Sequence, residues 1–158
     1  MGHVYLFDWG DTLMVDFPNQ PGKMFLWPHV EAVKQAEETL KQLSKQHTVY
    51  VATSAQDSSE TDIQRAFERV GLAPYINGYF CKANLGLEKN SCDFYRAILS
   101  SLDVEPSQVT MVGDTLETDV YPARNAGLNT VFYNPNQQPT EPDIATINHL
   151  KELLSFEQ

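Results

Sequence analysis

Three short apolar runs, each ending abruptly in a polar residue, constrain this chain more than any other feature. The first, Val4-Tyr5-Leu6-Phe7, stops at Asp8-Trp9-Gly10-Asp11. An unbroken apolar run of this length reads as a strand buried on both faces, the kind found in parallel sheets covered by helices. The second, residues 48–52, is rich in β-branched and aromatic side chains and runs into Thr53-Ser54-Ala55. The third, residues 109–112, runs into Gly113-Asp114, where the glycine lets the backbone turn sharply. Ligands of open parallel sheets bind beyond the carboxyl ends of the strands, which is where Asp8, Thr53 and Asp114 stand. Taken singly, each is equally a turn former or helix cap.

Helical periodicity fills the intervals. Val30, Val33, Ala36, Leu40 and Leu43 recur at three- and four-residue spacing, with charged residues between them, and predict a helix over 29–46. His47 after it reads as a solvent-exposed turn residue. Ser58 or Ser59 caps a helix running through Val70 and closed by Gly71, and Ser91 caps another over 92–101. Residues 75–81 hold a short third strand. A helix from near Asp119 to Ala126 is closed by Gly127; a strand over 130–133, an edge strand over 144–147 and a closing helix over 149–156 complete the chain. The segment 14–28 contains Pro18, Pro21, Gly22 and Pro28, and reads as an irregular loop beside the Asp8 turn. Phe17, Phe25 and Trp27 are its packing anchors, or one of them a ligand contact. The expected fold is a doubly wound, Rossmann-like α/β domain over residues 1–158, with a parallel sheet and helices on both faces.

Charge and cysteine content narrow the function classes. The 158 residues carry 11 lysines and arginines against 21 aspartates and glutamates, a net charge of −10. That balance argues against general affinity for nucleic acid or an anionic membrane, and it would repel a phosphorylated substrate unless a cation were bound. Cys81 and Cys92 are too few for a disulfide framework and lack metal-ligand spacing, so they read as reduced thiols in or near the core. No basic amino-terminal region leads into a long apolar segment, and a cytoplasmic location is expected. His3 and His149 lack acidic or cysteine partners at metal-binding spacing and read as structural or exposed.

Asp119 follows Asp114 near the start of the next helix. With Asp8 on a neighbouring strand, three carboxylates would converge on one point, an arrangement unstable unless protonated or occupied by a cation. An oxygen-rich site with retained waters suits Mg²⁺. Lys89 stands near a helix start, where it opposes the helix dipole; it reads either as a solvated surface residue or as the partner of a nearby anion. Lys82 is read with the same two alternatives, and Glu117 as a solvated helix residue.

The chain resembles the haloacid dehalogenase superfamily of hydrolases and phosphatases over nearly its whole length. The resemblance rests on Leu6-Phe7-Asp8-Trp9-Gly10-Asp11-Thr12-Leu13, on Val51-Ala52-Thr53-Ser54, on Lys89, and on Val112-Gly113-Asp114 with Asp119, in the family's order. It implies Asp8 as nucleophile, Thr53 with Ser54 holding phosphoryl oxygens, and Lys89 neutralising charge beside Asp8. It also implies Mg²⁺ held by Asp8, Asp114, Asp119 and the backbone carbonyl of Gly10. The activity implied is a Mg²⁺-dependent phosphatase working through an aspartyl-phosphate.

The sequence departs from the family pattern at one place. Phosphatases of this superfamily usually carry a second acid two positions after the nucleophile; here that position is Gly10, and Asp11 stands where glycine is usual. Asp11 either supplies the missing proton transfer or caps the following turn. Dehalogenases proper lack the second acid too but work without metal, and the intact pair Asp114 and Asp119 speaks against them. Neither interval between the first three strands is long enough for a separate cap module. The expected site is therefore open, suiting a macromolecular phosphorylated substrate, or a small one enclosed by a second subunit in a homo-oligomer. The rival reading is a catalytically silent domain that binds Mg²⁺ or phosphate and acts through protein contacts.

Overall fold

The computed structural model describes residues 3–55 and 58–156. Six parallel strands form one sheet in the order β3-β2-β1-β4-β5-β6. They are β1 (Val4–Phe7), β2 (Thr48–Ala52), β3 (Gly78–Phe80), β4 (Val109–Gly113), β5 (Asn129–Tyr133) and β6 (Thr146–Ile147). The helices are α1 (Ala36–Leu43), α2 (Glu60–Arg69), α3 (Lys82–Leu85), α4 (Cys92–Leu102), α5 (Tyr121–Asn125) and α6 (Leu153–Phe156).

Alternation along β1 explains the two layers. Tyr5 and Phe7 face one core with Leu40 and Leu43 of α1, Ile63 and Phe67 of α2, and Leu153 of α6. Val4 and Leu6 face the opposite core with Phe94, Tyr95 and Ile98 of α4 and Ala123 of α5. Successive side chains of a strand point to opposite faces, so a strand of four buried residues must be covered twice. The expected doubly wound α/β fold is thus observed. The chain order reverses between β1 and β4, the switch point at which such sheets bind ligands.

Several local expectations are corrected. The predicted helix over 29–46 begins only at Ala36, because the stretch before it is recruited elsewhere. Val33 N–H donates to Leu13 O at 2.8 Å and Val15 N–H to Glu31 O at 2.8 Å. Gln35 then takes a left-handed conformation, φ 69°, before the helix starts. Ser91 occupies the position ahead of α4 but makes no capping side-chain bond, whereas Ser59 caps α2 in a reciprocal pair with Asp62. His47 is not a solvent-exposed turn residue: it is half-buried, its Nδ1 accepts His3 N–H at 2.9 Å, and its ring meets the edge of Tyr5. The region after Asp114 is a wide five-residue turn, Leu116–Val120, that passes into the short α5. The predicted closing helix is a 3-10 turn, Leu150–Glu152, followed by α6. β6 is shorter than expected, although it is the edge strand.

The irregular loop over 14–28 is tied down from α2. Lys23 Nζ pairs with Asp62 at 2.8 Å, and the Arg69 guanidinium donates to the carbonyls of Phe25, Trp27 and Pro28. Trp27 Nε1 closes the loop on itself through Pro21 O and Gly22 O, both at 3.1 Å. Phe17 packs edge-on against Trp27, and Phe17 and Phe25 lie against the core as packing anchors, whereas Trp27 also lines the site described below. Because three loop carbonyls share one guanidinium, Arg69→Ala should accelerate chymotryptic cleavage at Phe25 and Leu26. The midpoint of global unfolding should move little, since local opening of a loop is separable from unfolding of the sheet.

Candidate active site

The sheet delivers the acidic residues to one rim. Phe7 is level with Val51 on one side and Val112 on the other, so Asp8 emerges between the ends of β2 and β4. Its N–H is fixed by Val112 O at 2.9 Å. After β4 the chain turns at Gly113, and the wide turn brings Asp119 back toward the strand end. Thr115 N–H donates to Asp119 Oδ2 at 3.1 Å. Gly113 cannot be replaced without cost, because a Cβ there would lie 2.2 Å from that same oxygen. One oxygen from each of Asp8, Asp114 and Asp119 lies within 4.8 Å of the others.

Lys89 holds this group together. It is 1% exposed, and its ammonium lies 2.7 Å from Asp8 Oδ1, 2.6 Å from Asp119 Oδ1 and 2.9 Å from Ala52 O. Three N–H donors therefore meet three acceptors, which is the condition for burying an ammonium at tolerable cost. Burial works against its charged form, but Asp8 and Asp119 more than offset this and hold its pKa above the usual lysine range. Of the two alternatives for Lys89, the surface one is excluded. Lys82, by contrast, is a half-exposed residue beside Glu88 at 3.7 Å, and Glu117 is exposed as expected.

One ammonium does not balance three carboxylates. Burial, followed by the proximity of Asp8, pushes Asp114 up to about 8. Burial and Asp8 likewise raise Asp119 to about 6, with Lys89 opposing. With all three acids ionised the group carries two negative units in excess, and the ligand atoms it offers are all oxygen. A divalent, oxygen-seeking ion such as Mg²⁺ fits both the charge and the chemistry.

Above the acids lies a cavity of about 430 Å³. Asp8, Gly10, Asp11 and Asp16 line it from the β1 turn, Thr53, Ser54 and Ser58 from the β2 end, and Asp114, Thr115 and Thr118 from the β4 end. Lys23, Met24 and Trp27 of the 14–28 loop form a further wall. Thr53 is buried, and its Oγ1 accepts Ala55 N–H at 3.1 Å, which fixes the hydroxyl at the cavity edge. Lys89 lies beneath the acids and is not among the lining residues. Asp11 is exposed, sits at φ 62°, and accepts Asp16 N–H through Oδ1 at 3.0 Å.

Asp8, Gly10, Asp11, Thr53, Ser54, Lys89, Asp114 and Asp119 thus assemble at one place, and several residues that were not singled out join them. Thr12 is fully buried and offers its hydroxyl to Asp8 Oδ2 at 3.2 Å and Asp114 Oδ1 at 3.4 Å. Tyr95 lies under the site and donates to Thr118 O at 2.6 Å, bracing the wide turn. Asp16 enters from the loop, and its carboxyl is raised by burial and by the charges of Asp11 and Asp8. Thr12 sits inside the quoted motif and was legible as part of it. Nothing in local sequence marks Asp16 or Tyr95.

Comparisons with known proteins give the family. Residues 10–127 match the haloacid dehalogenase-like hydrolase family model, and the chain belongs to that family. It is 35% identical over 107 residues, 67% of this chain and 44% of the relative, to the ribulose-1,5-bisphosphate 5-phosphatase of Halopiger xanaduensis. A protein of Listeria monocytogenes serotype 4b superimposes with a TM-score of 0.83 at 21% identity, over 98% of this chain and 97% of that one. A magnesium-bound crystal form of the HAD-hydrolase YfnB of Bacillus subtilis does so with a TM-score of 0.79 at 15% identity, over 98% of both chains. The chain spans about half the length of the curated relatives it matches. Among the described residues no helix is long and apolar enough to cross a membrane.

Two stability experiments probe the site without reference to catalysis. Gly113→Ala should cost about 1–3 kcal/mol in denaturant unfolding, because the new methyl displaces the Asp119 carboxylate. Asp114 has a folded pKa above its unfolded one, so its own contribution to stability falls as pH rises from about 4, the unfolded range, towards about 8. In EDTA, Asp114→Asn should therefore melt close to the parent at pH 4 and above it at pH 8. A parent that melts higher than the variant at pH 8 in EDTA would contradict the charge excess.

Proposed function

We propose that this hydrolase is a Mg²⁺-dependent phosphatase that transfers the phosphoryl group of a small phosphorylated compound to Asp8 and then to water. The observation that carries this reading is the placement of Asp8: at the floor of a cavity, 2.7 Å from a buried ammonium and within reach of two further carboxylates. A carboxylate attacks phosphorus only if repulsion between the two anions is removed. In this reading a carboxylate oxygen of Asp8 attacks while Lys89 holds Oδ1 and Thr12 steadies Oδ2. Lys89 orients the nucleophile from beneath and offsets its charge. Thr53 and Ser54 bind phosphoryl oxygens at the β2 end, where backbone and hydroxyl donors meet the cavity. The Thr12 hydroxyl keeps Asp8 and Asp114 in a fixed relation.

Asp8, Asp114, Asp119 and the Gly10 carbonyl would hold the metal. When bound, Mg²⁺ supplies the positive charge that lets two anions approach and polarises the phosphoryl group. The charge excess of the acidic group supports this assignment, as does magnesium in the YfnB crystal form. The Halopiger xanaduensis relative is a phosphatase acting on a phosphorylated sugar, which supports the same class here. A cavity of about 430 Å³ matches a small phosphate ester better than a macromolecular surface.

A panel of phosphorylated metabolites, with p-nitrophenyl phosphate as a generic ester, tests the proposal. Turnover should require Mg²⁺, stop on addition of EDTA and vanish in Asp8→Asn. Binding of inorganic phosphate or of a protein partner in Mg²⁺ with no ester hydrolysed would instead support the silent binding domain.

A further inference from the structure

Gly10 is a glycine that its own backbone does not require. Gly22, Gly71, Gly86 and Gly127 take positive φ, and Gly10 does not, so a side chain there would be conformationally acceptable. A side chain there would meet Asp16 first. A Cβ built on Gly10 would lie 3.3 Å from Asp16 Cβ and 3.4 Å from Asp16 Oδ2. The exposed Asp16 side chain therefore lies beside Gly10, its carboxylate next to where a side chain at position 10 would begin. Both residues line the same cavity as Asp8 and Thr53.

The backbone builds this placement. Asp11 takes the left-handed conformation, φ 62°, and its N–H donates to Met14 O at 2.6 Å, closing a tight turn. Asp11 Oδ1 then accepts Asp16 N–H at 3.0 Å, and Val15 N–H is anchored on Glu31 O at 2.8 Å. The other cavity carboxylates already have work. Asp8 is the proposed nucleophile, Asp114 belongs to the acidic group, and Asp11 holds the turn.

We infer that Asp16 is the general acid and base of the phosphatase cycle, entering from the loop to the position that the missing side chain at residue 10 leaves open. The inference rests on the reading of Asp8 as nucleophile given above. In the first step a bond forms between Asp8 and phosphorus while the ester P–O bond breaks, its electron pair going to the leaving oxygen. The Asp16 carboxyl gives its proton to that oxygen and the alcohol departs. In the second step the Asp16 carboxylate takes a proton from water as the water oxygen bonds to phosphorus. The bond to Asp8 breaks with its electron pair returning to the carboxylate, and phosphate leaves with Asp16 again protonated. The sum is ester plus water giving alcohol plus phosphate.

The test compares an alkyl phosphate, whose leaving group needs a proton, with p-nitrophenyl phosphate, whose leaving group does not. Asp16→Asn should lower kcat/KM for the alkyl ester by about 10²- to 10⁴-fold and that for the nitrophenyl ester far less. With the nitrophenyl ester, the slowed second step should let a phosphoenzyme accumulate, visible by intact mass and absent in Asp8→Asn. Mg²⁺ with beryllofluoride, a mimic of the acyl phosphate, should raise the Tm of Asp16→Asn as it does that of the parent, which separates lost proton transfer from a damaged site. The double variant Gly10→Asp with Asp16→Gly, which returns the acid to position 10 and clears room for it, should recover alkyl-ester turnover over Asp16→Asn. Parent-like rates for Asp16→Asn on both esters, or equal losses on both without phosphoenzyme, would overturn the role of Asp16 alone. A parent protein with no Asp8-dependent turnover would overturn the phosphatase reading and this inference with it.

Discussion

A buried ammonium at the carboxyl edge of the sheet organises the rest of this molecule. Lys89 is surrounded by acceptors from three different parts of the chain: Asp8 after β1, the Ala52 carbonyl at the end of β2, and Asp119 in the turn after β4. Taking such a charge out of water costs several kcal/mol, so the arrangement persists only if each acceptor is held in place. Strand pairing holds Ala52 opposite Phe80, and the Val112 carbonyl holds the Asp8 N–H. The Thr115 N–H holds Asp119, Gly113 makes room for it, and Tyr95 braces the turn through Thr118 O. The rim is therefore preorganised by contacts among its own residues and by Tyr95, which lies beneath it.

The same rim shows what was legible in the sequence. Strand ends were readable because an unbroken apolar run forces burial on both faces, and the polar residue that ends it must lie at an edge. Asp8, Thr53 and Asp114 were found that way, before any resemblance was invoked. Lys89 was only half legible: its charge opposed the helix that follows, which hinted at an anion without naming one. The helix over 29–46 misled because Val30 and Val33 continue the spacing of Ala36 and Leu40. Both are partly buried against the same core, so the apolar pattern is satisfied by a loop that pairs with residues 13 and 15 instead. Periodicity reports which side chains are buried, and backbone pairing from a distant segment decides how the chain gets them there.

The loop over 14–28 could be recognised from its prolines, but its purpose could not. Its position depends on Lys23 meeting Asp62 and on Arg69 gathering three carbonyls, contacts between residues far apart in the chain. Through them the exposed side of α2 is connected to one wall of the cavity. Asp16 belongs to the same class of contact. Its nearness to Gly10 follows from a left-handed residue and a side-chain cap within the loop, neither of which has a sequence signature strong enough to place a carboxylate.

The wide turn between Asp114 and Asp119 also bears on how such a chain can change over many generations. Its outward residue Glu117 is exposed, and its identity can drift at little cost. Its length cannot. Insertion or deletion of one residue would swing Asp119 by roughly a quarter turn about the local axis, off Lys89. Geometry at this turn thus tolerates a change of side chain far better than a change of length.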